Sequence, residues 1–128
     1  MKVAILTPLP PSKTGIAHYA SMVIPELRRA VRAEGDATSD VQAFPSLDGY
    51  RRADFDHVIY QLGNNPYHEV MFAEAMREPG VIVLHDLVMH HLIAETTIAR
   101  GDVDGYARAL EASHGAKGVA VARGVAAG

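Results

Sequence analysis

Four short apolar runs divide the chain. VAIL (3–6) and VIVL (81–84) are unbroken, DHVIYQL (56–62) has an apolar centre at 58–60, and VQAF (41–44) is a shorter candidate. Runs without polar alternation are typical of strands that are buried on both faces, as in a parallel sheet. The pattern therefore predicts four strands, of which the first and the last are buried.

Between and after these runs, apolar residues recur three and four positions apart, which predicts helices. The first helix is predicted from Gly15 to about Arg32, and Pro25 should kink or interrupt it because proline lacks an N–H group. Further helices are predicted over 67–77, 87–100 and 102–122. The alternation favours a Rossmann-like α/β fold, an open parallel sheet with helices on both faces.

The alternation stops after the fourth strand, because no further strand follows the last predicted helix. A length of 128 residues suits one domain or a piece of a larger one. We therefore expect residues 1–128 to be a truncated N-terminal domain of a longer protein.

Composition and charge argue against several classes of function. The formal charge is −3, from 12 basic and 15 acidic residues, so the basic excess of a nucleic-acid-binding protein is missing. The chain has no cysteine, which excludes disulfides and thiolate metal sites. No apolar run approaches the roughly 20 residues that span a bilayer. These features predict a cytoplasmic protein and leave peripheral contact with a membrane open.

Three segments follow predicted strands directly, where open α/β sheets bind their ligands. They are Thr7–Gly15, Gly63–Pro66 and His85–Asp86. At Gly15, the N-terminus of a helix could bind a phosphate that approaches its backbone closely, although the residues alone favour a plain cap or turn glycine. His85 could donate or accept a hydrogen bond or act as a base, or it could simply occupy the turn.

A metal site is a further reading of the histidine-rich segment. His68, His85, Asp86 and His90 are residue types that bind zinc or iron. Neighbouring helical residues point to different sides, however, and the metalloprotease spacing H-E-x-x-H is missing. We expect no metal, and we keep a metal-dependent hydrolase as the third-ranked function.

Three segments together resemble a known enzyme family. TPLPPSKTGIAHY, YQLGNNPYHEVMFAEAM and PGVIVLHDLVMHHLIAE are similar to segments in the N-terminal domain of two-domain retaining glycosyltransferases with the GT-B fold, of the family 4 or group 1 type. The resemblance covers about residues 1–115. It implies transfer of a sugar from a nucleotide diphosphate sugar to a glycan, lipid or small-molecule hydroxyl, without a metal or a prosthetic group.

The resemblance also implies roles for individual residues. Gly15, preceded by Thr14, matches the loop that closes on the donor diphosphate, and His85 matches the histidine near the transferred sugar. The remaining matched positions imply acceptor contacts: Tyr19, Asn64, Asn65 and Asp86. Two departures are that many relatives have paired glycines in the first loop and that the donor-binding C-terminal half is absent, so this chain alone should be inactive.

The second-ranked function is a non-catalytic binding module that pairs with another chain. Apolar surface would be exposed where the missing strands belong, and such surface promotes self-association. The sugar, the nucleotide and the acceptor are left undetermined by the sequence.

Overall fold

The apolar run at residues 3–6 lies at the centre of a parallel sheet. The computed structural model describes all residues, 1–128. Its strands are β1 (Lys2–Leu6), β2 (Asp40–Phe44), β3 (His57–Leu62) and β4 (Val81–Leu84). They form one four-stranded sheet in the order β2-β1-β3-β4, and every neighbouring pair is parallel. The expected α/β class, a Rossmann-like open sheet, is confirmed.

Five α-helices accompany the sheet: α1 (Gly15–Glu34), α2 (Glu69–Arg77), α3 (His90–Thr96), α4 (Val103–His114) and α5 (Ala116–Ala127). The chain divides into two compact units, whereas the sequence suggested one domain. The first unit contains residues 1–63 and 67–87, and the second contains residues 64–66 and 88–128. None of the helices combines the length and the apolar character needed to cross a lipid bilayer.

The two faces of the sheet are covered by different helices. On one face, Val3 and Ile5 of β1 form a buried cluster with Ala20 and Ile24 of α1. Because β2 and β4 lie on opposite sides of β1 and β3, right-handed crossovers place α1 and α2 on opposite faces. The alternate residues of β1, Ala4 and Leu6, are also fully buried, which explains why this strand is apolar throughout.

The expectation that β4 is buried was wrong. Val81 is 58% exposed, Ile82 is 43% exposed and Leu84 is 53% exposed. The run is as apolar as β1, but β4 is the edge of the sheet and pairs only with β3. An apolar run indicates that a strand tends to be buried, but it does not determine whether another element of the structure packs against that strand.

Pro25 does not interrupt α1, which continues to Glu34. Apolar contacts on both sides of the proline hold the helix, since Ile24 and Val31 both belong to the buried cluster against the sheet. The cost of one missing backbone hydrogen bond is thus offset by packing.

Two other helix predictions were wrong in their bounds. The helix predicted over 87–100 begins only at His90 and gives way to a 3₁₀ turn at Ile98–Arg100. The helix predicted over 102–122 is two helices, because Gly115 has a φ of 63° and ends α4. Asp102 caps α4, since its carboxylate accepts a hydrogen bond from the amide of Gly105 at 2.8 Å.

Candidate functional site

The carboxyl ends of β1 and β3 form the crevice where a ligand is most expected. From β1 the chain leads through α1 to β2 on one side, while β3 lies on the other side of β1. Open α/β sheets bind ligands at this point, where the strand order reverses. The residues that follow these strands are Thr7 and Gly63, and His85 follows β4 beside them.

A buried polar network joins the ends of the two central strands. Thr7 and Gln61 are both almost inaccessible to solvent. The Thr7 hydroxyl lies 3.0 Å from the Gln61 side-chain oxygen, to which it donates, and 3.2 Å from the Pro8 carbonyl oxygen. A buried polar side chain requires such a partner, so this pairing fixes the Gln61 side chain.

His68 completes this network and is entirely buried. Its Nδ1 lies 3.0 Å from the Gln61 backbone oxygen. Because a carbonyl oxygen can only accept, Nδ1 carries the proton and Nε2 of the neutral ring is an acceptor. Nε2 is buried and has no hydrogen-bond partner, which is uncommon in a native protein.

Gly63 lies directly against this imidazole. A Cβ at position 63 would lie 2.9 Å from His68 Nε2 and 2.5 Å from Ile16 Cδ1. Both distances are shorter than real Cβ contacts, so any larger residue would require Ile16 and the His68 ring to shift. The glycine is therefore required by contact with His68 and α1.

His85 occupies the neighbouring position at the end of β4. Its amide donates to the Leu62 carbonyl oxygen at 2.8 Å, which continues the β3–β4 ladder by one residue. Its ring packs edge-on against Tyr19 of α1, with the centroids 5.0 Å apart and the planes at 77°. Nε2 of His85 is also buried without a hydrogen-bond partner. Asp86 follows and is exposed.

The start of α1 brings a fourth part of the site. The Thr14 hydroxyl oxygen accepts a hydrogen bond from the amide of Ala17 at 3.0 Å, so Thr14 caps the helix. Gly15 is exposed, and a Cβ built on it would meet no atom within 4 Å. The first amides of a helix have no partner within the helix and carry partial positive charge. A small anion could therefore approach the backbone at Gly15.

Asn64 and Asn65, predicted as acceptor contacts, group with the second unit. The Asn64 side-chain oxygen accepts a hydrogen bond from the amide of Leu92 at 2.9 Å. Leu92 is the third residue of α3, a helix that lacks a side-chain cap from its own N-cap residue, Met89. Asn64 thus caps α3 from a distant part of the chain, which is a structural role.

The residues considered as metal ligands of a hydrolase do not lie close enough together to form a metal site. The structure has no group of three or more histidine, cysteine, aspartate or glutamate side chains placed to hold a metal ion. His90, one of that set, belongs to the second unit, where its ring packs against Tyr106.

A concavity of about 680 Å³ in the first unit lies at the amino ends of the strands beside Lys2 and Asp40. It is therefore at the opposite end of the sheet from His68 and His85. Two groups lining it, Arg51 and Asp54, already pair with each other at 2.8 Å. We place the candidate site at the carboxyl ends because the unpartnered imidazole nitrogens lie there.

Sequence reasoning missed Gln61, included Thr7 only as the first residue of the segment Thr7–Gly15, and considered His68 only as a metal ligand. One signal was available, since Gln61 is a polar residue that follows the apolar centre of β3 at 58–60 and precedes Leu62. A buried polar side chain implies a partner, but the sequence alone does not say which residue supplies it.

Comparison of the chain with protein-family models, with curated proteins and with solved structures found no match.

Protonation of His68 should couple stability to pH. Burial lowers the pKa of His68 below its ordinary value of 6.5, and the charge of His85 lowers it further, while the bond to Gln61 and the charge of Asp86 act in the opposite sense. Well above pH 6.5 the imidazole is neutral in both the folded and the unfolded chain. As the pH falls below that value, the unfolded chain gains the proton first, so the free energy of unfolding decreases.

Urea denaturation between pH 8 and pH 5 measures this effect, and His68→Asn, which keeps an amide donor, should flatten the pH dependence. The exposed His57, changed to Asn, is the matched control and should leave the slope unchanged. An identical slope in wild type and His68→Asn would contradict the assignment.

The two glycines of the site should respond differently to alanine. Gly63→Ala should lower the free energy of unfolding by about 1–3 kcal/mol, because the new Cβ overlaps Ile16 and His68. Gly15→Ala should keep or raise it, by up to about 1 kcal/mol, because the space is open and alanine favours helix. Thermal denaturation of both variants compares them directly. Equal destabilisation would mean that the end of β3 is packed differently.

Proposed function

We propose that this chain is the N-terminal, acceptor-side half of a retaining glycosyltransferase with two Rossmann-like domains. The proposed reaction transfers a sugar from a nucleotide diphosphate sugar to a hydroxyl group of a glycan, a lipid or a small molecule. The observation that carries the proposal is His85, which lies at the carboxyl end of β4, packs on Tyr19 and keeps a buried Nε2 without a partner.

His85 has the chemistry to recognise a sugar hydroxyl. An imidazole nitrogen can donate or accept one hydrogen bond, according to its protonation state. The edge contact with Tyr19 restricts the ring, so little conformational entropy is lost when a ligand binds. A sugar hydroxyl that reached this nitrogen would satisfy a group that has no partner within the chain.

Gly15 suits the other reacting group, the leaving diphosphate. Its backbone is exposed at the start of a 20-residue helix, and no side chain limits access. Helix N-termini stabilise phosphate through backbone N–H groups and the helix dipole. Charge that develops on the diphosphate as the sugar leaves would be stabilised in the same way.

A binding module that pairs with another chain is the second candidate, and the exposed β4 edge favours it. Three apolar side chains of a strand with one free edge are more than two-fifths exposed: Val81, Ile82 and Leu84. Such an edge is suited to pairing with a further strand.

Turnover of the polypeptide encoded by the complete reading frame tests the first candidate. We expect release of nucleoside diphosphate from one of a panel of nucleotide sugars, and His85→Ala should reduce turnover at least about 100-fold, as for other positioned polar groups at a reacting centre. His57→Ala, at the amino end of β3, is the control and should leave turnover unchanged. Absence of release from every donor would reject the glycosyltransferase, and full activity of His85→Ala would remove this residue from the mechanism.

Sedimentation of residues 1–128 tests the second candidate. If β4 pairs with another chain, a concentrated sample should self-associate, and Ile82→Lys should reduce this because a charge on an edge strand opposes pairing. Met76→Lys, at an apolar and more exposed position on α2, should have little effect. A monomer at all concentrations would count against the binding module.

A further inference from the structure

The second unit has a cavity of about 400 Å³ between α4 and α5. We call it the α4–α5 cavity, and its lining residues are His90, Leu110, His114, Lys117, Gly118 and Val121. Its volume is at the lower end of the range for small-molecule pockets, roughly 300–1,000 Å³. None of its residues belongs to the candidate site in the first unit.

Helix periodicity explains why apolar and basic groups alternate along this cavity. Leu110 and His114 are one turn apart on α4, and Lys117 and Val121 are one turn apart on α5, so each helix contributes one apolar and one basic side chain. Gly118 brings the helices together, since a Cβ there would lie 2.2 Å from the Leu110 carbonyl oxygen. Because the backbones of α4 and α5 pack closely at Gly118, the side chains on either side of this contact form the walls of the cavity.

The third basic group is held in place by a buried tyrosine. The rings of His90 and Tyr106 meet edge-on with their centroids 5.9 Å apart, and His90 Nε2 lies 3.4 Å from the Tyr106 hydroxyl. Tyr106 itself is buried in the apolar cluster of this unit. His90 is therefore partly ordered before any ligand arrives, which lowers the entropic cost of binding.

The lining has one charge sign only. Lys117 and two imidazoles are its polar side chains, and no carboxylate lines the cavity. Leu110 and Val121 supply an apolar wall, of which Val121 is more than half exposed. A neutral apolar ligand would leave the ammonium group without a partner, and a cation would be repelled by it.

We propose that the α4–α5 cavity binds a small amphipathic anion, with its apolar body against Leu110 and Val121 and its carboxylate or phosphate group at Lys117, His114 and His90. The two head groups share the chemistry that matters here, a compact negative charge that accepts hydrogen bonds from ammonium and imidazole groups. This site is independent of the proposed sugar transfer, so either can fail without the other.

Titration of residues 1–128 with hexanoate and with hexyl phosphate, followed by NMR, tests the proposal. We expect saturable shifts of the amides of residues 110–121 and of the His90 and His114 imidazoles with at least one anion, which also identifies the head group. Hexylammonium, which has the same apolar body and the opposite charge, should cause no saturable shift. Equal binding of hexylammonium, or no saturation by either anion in the millimolar range, would overturn the proposal.

Charge variants of α5 separate a defined site from general attraction. Lys117→Gln should weaken binding by about three- to fivefold, the effect of one solvent-exposed ion pair, and Lys117→Arg should retain it. Arg123→Gln makes the same charge change on the same helix, but Arg123 does not line the cavity, so its affinity should equal that of wild type. Equal weakening by Lys117→Gln and Arg123→Gln would show attraction by net charge and contradict a site.

Discussion

Strand β1 hydrogen-bonds to a neighbour on both sides, and the architecture of the first unit depends on this pairing. Neighbouring strands β2 and β3 cover the two edges of β1, and helices cover its two faces. Val3 to Leu6 are therefore all buried. The same arrangement makes the chain reverse its direction of winding between β1 and β3. The crevice that results lies at the residues that follow these strands, Thr7 and Gly63.

The polar groups at this crevice distinguish it from an ordinary sheet edge. A buried polar atom without a partner costs about 1–3 kcal/mol, and native proteins seldom keep one without a reason. Two of the three such side-chain atoms in the structure are Nε2 of His68 and Nε2 of His85. His68 is tied to β3 through Gln61, whereas His85 is half-buried and packs on Tyr19. His85 is therefore the better placed to contact a ligand.

The two units support different proposals from independent observations. In the first unit, the case for sugar transfer depends on histidine and glycine at the carboxyl ends of strands, and His68 supports that geometry from within the core. In the second unit, three basic groups surround a cavity with an apolar wall, and Gly118 sets the spacing of its helices. The proposal for the second unit depends on local chemistry alone, whereas the proposal for the first unit also depends on the sequence resemblance.

The sequence by itself determined most helices and strands and the α/β class. Residues 81–84 and the start of α1 at Gly15 were predicted correctly, because apolar runs, caps and glycines act over a few residues. Of the candidate site, sequence position indicated His85, Asp86 and Gly15, since ligands bind beyond the ends of parallel strands. Only the tertiary structure decided that β4 is an exposed edge, that Asn64 caps α3, and that Gln61 binds both Thr7 and His68. These features depend on which strands and turns become neighbours, and contacts between residues as far apart as 7 and 61 leave no local pattern in the chain.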